Sequence, residues 1–253
     1  MTGSVGLIVP PANPTVEREF RHMLTGLELR VALLPVIDGT LRERLNGYAD
    51  RVAEPAGELR SEELAAVVMA CTGCSYGLGA DGDRRLGEAA ARSADVPVIT
   101  AAGAVARVLD RLDIDSLTLV SPYPQWLTDQ ASEFWTRAGA AVRAVVPIPG
   151  TGEIYDLTSD EVLTALDSVL SRRSAEPGHA VLVTGTGAPT VEALDLRAHD
   201  APVPILSSNL AGAWNALDVM GELDLARDSA SPALRHLTRT IRSRRPIAGG
   251  VSS

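Results

Sequence analysis

The chain is expected to fold as an α/β protein of two pseudo-symmetric halves, each a mainly parallel sheet flanked by helices. Three observations predict this. Short apolar runs alternate with helical stretches along the whole chain. The apolar runs are continuous rather than alternating, which suits strands buried on both faces of a parallel sheet. Several segments also recur, in the same order, in the first and second halves.

Strands are expected at 5–9, 31–36, 66–69, 96–99, 117–120, 141–148, 180–183 and 203–206. Each is short, rich in Val, Ile and Leu, and bounded by Pro, Gly, Ser or Asp. Helical patterns separate them at 15–24, 41–59, 80–92, 104–112, 127–137, 159–172, 190–197 and 211–220. Strand–helix alternation of this kind implies right-handed crossovers between parallel strands.

The recurrence is specific in its order. Gly6-Leu7-Ile8-Val9-Pro10 matches Leu117-Thr118-Leu119-Val120-Ser121. Val67-Val68-Met69-Ala70-Cys71-Thr72-Gly73 matches Val181-Leu182-Val183-Thr184-Gly185-Thr186-Gly187, and Val96-Pro97-Val98-Ile99 matches Val203-Pro204-Ile205-Leu206. The division falls near 109–116, giving a first half of residues 1–112 and a second of 113–253. The C-terminal segment is free to cross back onto the first half.

With 253 residues, 45% hydrophobic and 22% charged, the chain has the composition of a folded protein rather than a disordered one. Its formal charge of −9 argues against nucleic-acid binding, which needs a basic face to neutralise phosphates. The Arg-rich stretch Arg239, Arg242, Arg244 and Arg245 reads as a solvated helix end and tail. No secretory leader is legible at the N-terminus and no apolar run is long enough to span a membrane, so a cytosolic location is expected. Cys71 and Cys74, the only cysteines, are too few for a disulfide scaffold or a zinc site. There is no phosphate-binding loop, and Gly77-Leu78-Gly79 is not placed as a dinucleotide fingerprint, so no cofactor is expected. His22, His179, His199 and His236 read as structural or exposed.

The chemistry is expected where the repeated strands end. Ligands of open α/β sheets bind beyond the carboxyl ends of the strands, where turn amides favour anions. Two such turns, Cys71-Thr72-Gly73 from one half and Gly185-Thr186-Gly187 from the other, can face each other across a cleft. Cys71, between a strand and a helix, is placed to favour the thiolate; its alternative is an inert buried thiol. Cys74 either lines the pocket or packs, and the Cys-x-x-Cys spacing leaves a redox role open. Asn13 offers an amide to a carboxylate or else closes a turn. Tyr123, held between Pro122 and Pro124, offers a hydroxyl to an oxyanion. Ser208 and Asn209 touch substrate or cap the following helix.

Taken together, these residues resemble the aspartate/glutamate racemase superfamily, in its maleate isomerase and arylmalonate decarboxylase branch. The resemblance is carried by Gly6 to Pro10 with Asn13 and Glu17, Ala70-Cys71-Thr72, Ser121-Pro122-Tyr123, Val183-Thr184-Gly185-Thr186, and Ser207-Ser208-Asn209 before Trp214. It implies two α/β halves with the site between them, no metal and no organic cofactor. Racemases of this kind set one cysteine on each side of the substrate; here Cys71 holds the first position and Gly185 the second. Two-base racemisation is therefore disfavoured, and so is a decarboxylase of the familiar kind, which keeps only the second cysteine. Segment 152–156 has no asparagine matching the one maleate isomerases carry, which counts against maleate itself as the substrate.

Three functions stay open. One is a maleate-type cis–trans isomerase working through a Cys71 adduct, and another is a decarboxylase of substituted malonates with Cys71 as proton donor. The third is a non-catalytic binder of small carboxylates. The expected partner is a small carboxylate, without nucleic acid or membrane, in a homo-oligomer.

Overall fold

The computed structural model describes residues 3–149 and 154–244. In the first half the order is β1 (Ser4–Val9), α1 (Val16–Met23), β2 (Leu29–Leu33), α2 (Leu41–Asp50), α3 (Ala53–Glu58) and β3 (Leu64–Met69). There follow α4 (Thr72–Tyr76), α5 (Gly79–Ala94), β4 (Val98–Thr100) and α6 (Ala101–Arg111). The second half runs β5 (Ser116–Ser121), α7 (Gln125–Arg137), β6 (Ala141–Pro147), α8 (Ser159–Leu170) and β7 (His179–Val183). It closes with α9 (Val191–Arg197), β8 (Ile205–Ser207), α10 (Ser208–Met220) and α11 (Pro232–Arg244).

The strands form two four-stranded parallel sheets, β2-β1-β3-β4 and β6-β5-β7-β8. The two orders are the same permutation. In each sheet the chain leaves the first strand in one direction and the third strand in the other, so a crevice opens at their carboxyl ends. That crevice lies between β1 and β3 in the first sheet, where Leu7 pairs with Val68. In the second it lies between β5 and β7, where Leu119 pairs with Leu182. Every residue of β1, β5 and β7 is buried, which is why these strands read as unbroken apolar runs.

All eight expected strands form, with shifted ends. Both β4 and β8 start after a proline that cannot donate to the ladder; its carbonyl still accepts, from Val67 N–H at Pro97 and from Val181 N–H at Pro204. The helix expected over 41–59 is two. Its first part opens on a capping box, with Thr40 Oγ1 accepting from Glu43 N–H while the Glu43 carboxylate accepts from Thr40 N–H. It stops at Arg51, whose carbonyl would need an N–H from residue 55, and residue 55 is proline. The helix expected to follow Cys71 is the single turn of α4, separate from α5. The Arg-rich stretch forms the end of α11, with Arg239 and Arg244 exposed and Arg242 half-buried, while the opposite face buries Leu234, Leu237 and Ile241; Arg245 lies outside the described residues.

The C-terminal segment crosses to the first half. Helix α10 is buried on every side from Ser208 to Leu217, and Gly212 lets it approach Phe20 and Val68 so closely that a Cβ would lie 3.1 and 3.2 Å from them. Asn215 Nδ2 donates to the carbonyl of Ala104 in α6 at 3.0 Å. One apolar core spans both halves, and a smaller one, including Ile8, Leu34, Met69 and Leu86, fills the outer face of the first sheet. Among the described residues no helix is long and apolar enough to cross a membrane.

Candidate active site

The carboxyl ends of β1, β3, β5 and β7 converge on one cavity of about 420 Å³ between the halves. Cys71, Thr72, Gly73, Tyr123, Thr186 and Gly187 line it. Four other residues named from the sequence, Asn13, Gly185, Ser208 and Asn209, stand behind that lining and hold it in shape.

Each of the four has a definable task. Asn13 Oδ1 accepts from the N–H groups of Thr15 and Val16 at 3.0 and 3.3 Å, closing the turn that starts α1, while its amide reaches Thr186 Oγ1 at 3.4 Å. Ser208 Oγ accepts from Thr72 Oγ1 at 3.1 Å. Asn209 Nδ2 donates to the Thr186 carbonyl at 3.0 Å and to Glu19 Oε2 at 2.7 Å. Further bonds tie the facing turns together: Thr186 Oγ1 to the Ala70 carbonyl at 2.8 Å, Thr15 Oγ1 to the Gly187 carbonyl at 2.9 Å, and the hydroxyls of Tyr76 and Thr184 to each other.

Gly185 has φ +95°, in the left-handed region where glycine carries no steric cost. A Cβ built there would lie 2.9 Å from Ile154 Cδ1, 3.1 Å from the Tyr123 hydroxyl and 3.2 Å from Pro122. The position that the resemblance assigns to a second cysteine therefore takes no side chain in this turn. Both Gly185→Ala and Gly185→Cys are expected to cost about 1–3 kcal/mol of stability through backbone strain. A thermal melt unchanged by either substitution would show that the turn accommodates a side chain after all.

The sequence points to a free thiol at Cys71. In the structure Cys71 is joined to Cys74 by a disulfide, and neither cysteine is free. The local geometry explains this correction. Cys71 has extended backbone, φ −143° and ψ 89°, and the helix begins at Thr72. Cys74 comes round after one turn, with a Cα–Cα distance of 5.7 Å, inside the range disulfides span.

Around Cys71 the polar groups are hydroxyls. Burial pushes the Tyr123 hydroxyl well above its ordinary pKa, against the pull of the Thr72 and Thr184 hydroxyls beside it. Burial likewise raises Tyr76. Both phenols stay protonated at neutral pH and are hydrogen-bond donors. Glu19, one turn into α1, is 4% exposed. Its carboxylate accepts from Val191 N–H at 2.8 Å, Thr190 N–H at 2.5 Å and the Asn209 amide. Burial raises its pKa, and those same donors oppose the rise. Glu17, quoted above for the resemblance, is instead an exposed ion-pair partner of Arg21 at 2.6 Å.

The sequence reading missed the wall contributed by α2. Leu41, Arg44, Leu45 and Tyr48 line the cavity, and their i, i+3, i+4, i+7 spacing is one face of a helix. The period was legible, but nothing local says that this face covers a cleft. Arg42, on the adjoining face, lies 4.2 Å above the Trp126 ring in α7 and clasps the wall to the second half.

The family model described as arylmalonate decarboxylase matches residues 5–232. A maleate isomerase of Geobacillus stearothermophilus is 29% identical over 154 residues, spanning 54% of this chain and 60% of that enzyme. An arylmalonate decarboxylase of Bordetella bronchiseptica is 23% identical over 221 residues, spanning 87% and 91%. Among solved structures, a cysteine-to-serine variant of Nocardia farcinica maleate cis-trans isomerase, with a covalently bound succinylcysteine intermediate, superposes with a TM-score of 0.74. It is 21% identical and covers 94% of this chain and 98% of that one. At that identity the likeness is one of fold.

Proposed function

The chain belongs to the arylmalonate decarboxylase family, whose relatives catalyse isomerisation or decarboxylation, and from that premise we propose that it is a cofactor-independent cis–trans isomerase of a small unsaturated diacid working through Cys71. The observation that carries the reading is the position of Cys71. It lines the cavity at the end of β3, among the hydroxyl groups of Thr72, Tyr123 and Thr186, and the matching position in the second half, Gly185, carries no sulfur. A site with its sulfur on one side only favours covalent addition over two-sided proton exchange.

The step balances without an outside reagent. The Cys71 thiolate forms a C–S bond to one alkene carbon, and the π electrons move into the adjacent carboxylate as an enediolate. The central bond, now single, rotates. The electrons return, the C–S bond breaks, and the thiolate leaves a trans alkene. Tyr123, held protonated by burial, donates to the enediolate oxygens, and a well-placed donor of this kind contributes about 3–4 kcal/mol to the transition state. The covalent succinylcysteine of the Nocardia farcinica isomerase variant supports this reading.

The disulfide state carries no nucleophile. Reduction by an external dithiol, which supplies two electrons and two protons and becomes a disulfide itself, yields the two thiols the mechanism needs. Activity is therefore expected to depend on a reductant such as dithiothreitol, and Cys74→Ser is expected to remove that dependence. Full activity of the oxidised wild type would refute a thiolate mechanism.

The apolar lining by Leu127, Ile148 and Ile154 favours a second reading, decarboxylation of a substituted malonate, since an apolar pocket helps expel CO₂. Proton NMR of the reduced protein in D₂O, with cis-unsaturated diacids and with substituted malonates, separates the two. Trans alkene supports the isomerase. Deuterated monoacid from a malonate, with no change in the diacids, replaces it with the decarboxylase.

A further inference from the structure

Arg44 is the one charged side chain among the described residues lining the cavity. Its Nε is buried without a hydrogen-bond partner, and among the described residues no carboxylate pairs with it, although many other arginines of the chain have one. Its neighbours on the α2 face are Leu41, Leu45 and Tyr48. Burial raises the Tyr48 hydroxyl, and the positive charge of Arg44 draws it back down, so guanidinium and phenol stand together. A guanidinium brought into an apolar wall loses hydration, and a planar anion that accepts its fork of N–H groups restores what is lost.

Helix α2 is seated directly on the turn that carries the nucleophile. A Cβ at Gly73 would lie 3.1 Å from Leu45 Cδ2. Arg44 therefore faces the same space as Cys71, from the α2 wall rather than from the strand ends. The cavity, at about 420 Å³, is in the range that takes drug-sized ligands, roughly 300–1,000 Å³, and exceeds what a bare four-carbon diacid fills.

We propose that Arg44, with Tyr48 beside it, binds the distal carboxylate of the substrate, and that the substrate is a diacid carrying an apolar substituent. One carboxylate sits among the hydroxyls near Cys71, the other on Arg44, and the substituent lies against Leu41, Leu127 and Ile148. The assignment rests on the diacid reading of the site but is tested separately from turnover.

The probe is phenylsuccinate, a saturated and unreactive diacid, compared with its half-ester lacking one charge. Binding to reduced wild type, Arg44→Gln and Arg44→Lys is measured by titration calorimetry. Wild type is expected to prefer the diacid by about ten- to a hundredfold, as a charge-assisted hydrogen-bond pair implies. Arg44→Gln loses that preference and Arg44→Lys keeps part of it. An equal preference in wild type and Arg44→Gln overturns the assignment, as does an equal loss of both ligands or no binding of the diacid to wild type. A preference that depends on Arg44 in a protein that isomerises no unsaturated diacid would uphold the clamp and retire the isomerase reading. Turnover with an unchanged preference would do the reverse.

Discussion

Cys71→Ala is expected to lower turnover by on the order of a thousandfold or more, since without the nucleophile the enediolate that the remaining donors stabilise does not form. Binding of an unreactive diacid should change little, because the hydroxyls of Thr72 and Tyr123 and the turn at Thr186 remain. Because the substitution also removes the bond to Cys74, the proper control is the reduced wild type, or Cys74→Ser, which retains the thiol at the cavity. Single-turnover measurements with these three proteins decide the matter. Residual activity within about tenfold of wild type would mean that the double bond is not opened by sulfur.

The second large effect concerns stability. Glu19→Ala is expected to cost about 3–5 kcal/mol, because it strips acceptors from several buried donors at once. The N–H groups of Thr190 and Val191 open α9, and the Asn209 amide would keep only its bond to the Thr186 carbonyl. For a chain of this size the melting temperature should fall by roughly 10 °C. The loss should also reach the site, since Thr186 lines the cavity and its carbonyl is held by that same amide. Chemical denaturation followed by circular dichroism gives the free energy directly. A loss below about 1 kcal/mol would show that water replaces the carboxylate without penalty.

The architecture was legible because strands buried on both faces leave a strong trace. Val67 to Met69 and Val181 to Val183 announce themselves by composition, and the turns after them by Thr and Gly. The turn residues could be named as well, since topology puts ligands at strand ends. What stayed hidden depends on contacts between distant segments. Glu19 looks like one more acid in the first turns of α1, next to the solvent-exposed Glu17, until α9 and α10 are brought over it. Arg44 looks like a solvent-facing residue between Glu43 and Leu45 until its helix is laid across the cleft. The bond between Cys71 and Cys74 depends on the helix starting at Thr72 itself, so that one turn brings the two Cα atoms to 5.7 Å, and a five-residue helix is too short for periodicity to fix its first residue. The split of 41–59 was readable from Pro55, whose missing N–H breaks the helix one turn earlier.

Helix α10 has a consequence for how the molecule is made. The inner faces of Phe20 and Val68 are closed by Gly212, a residue synthesised about a hundred positions after the first sheet is complete. On a ribosome adding roughly 5–20 residues each second, the first sheet waits several seconds or more with that surface uncovered. The nascent first half is thus a guest for chaperones during that interval, and proteolytic fragments ending before α10 should be short-lived. The finished chain, in contrast, should melt in a single step, because neither sheet can lose its partner without uncovering the seam that α10 seals.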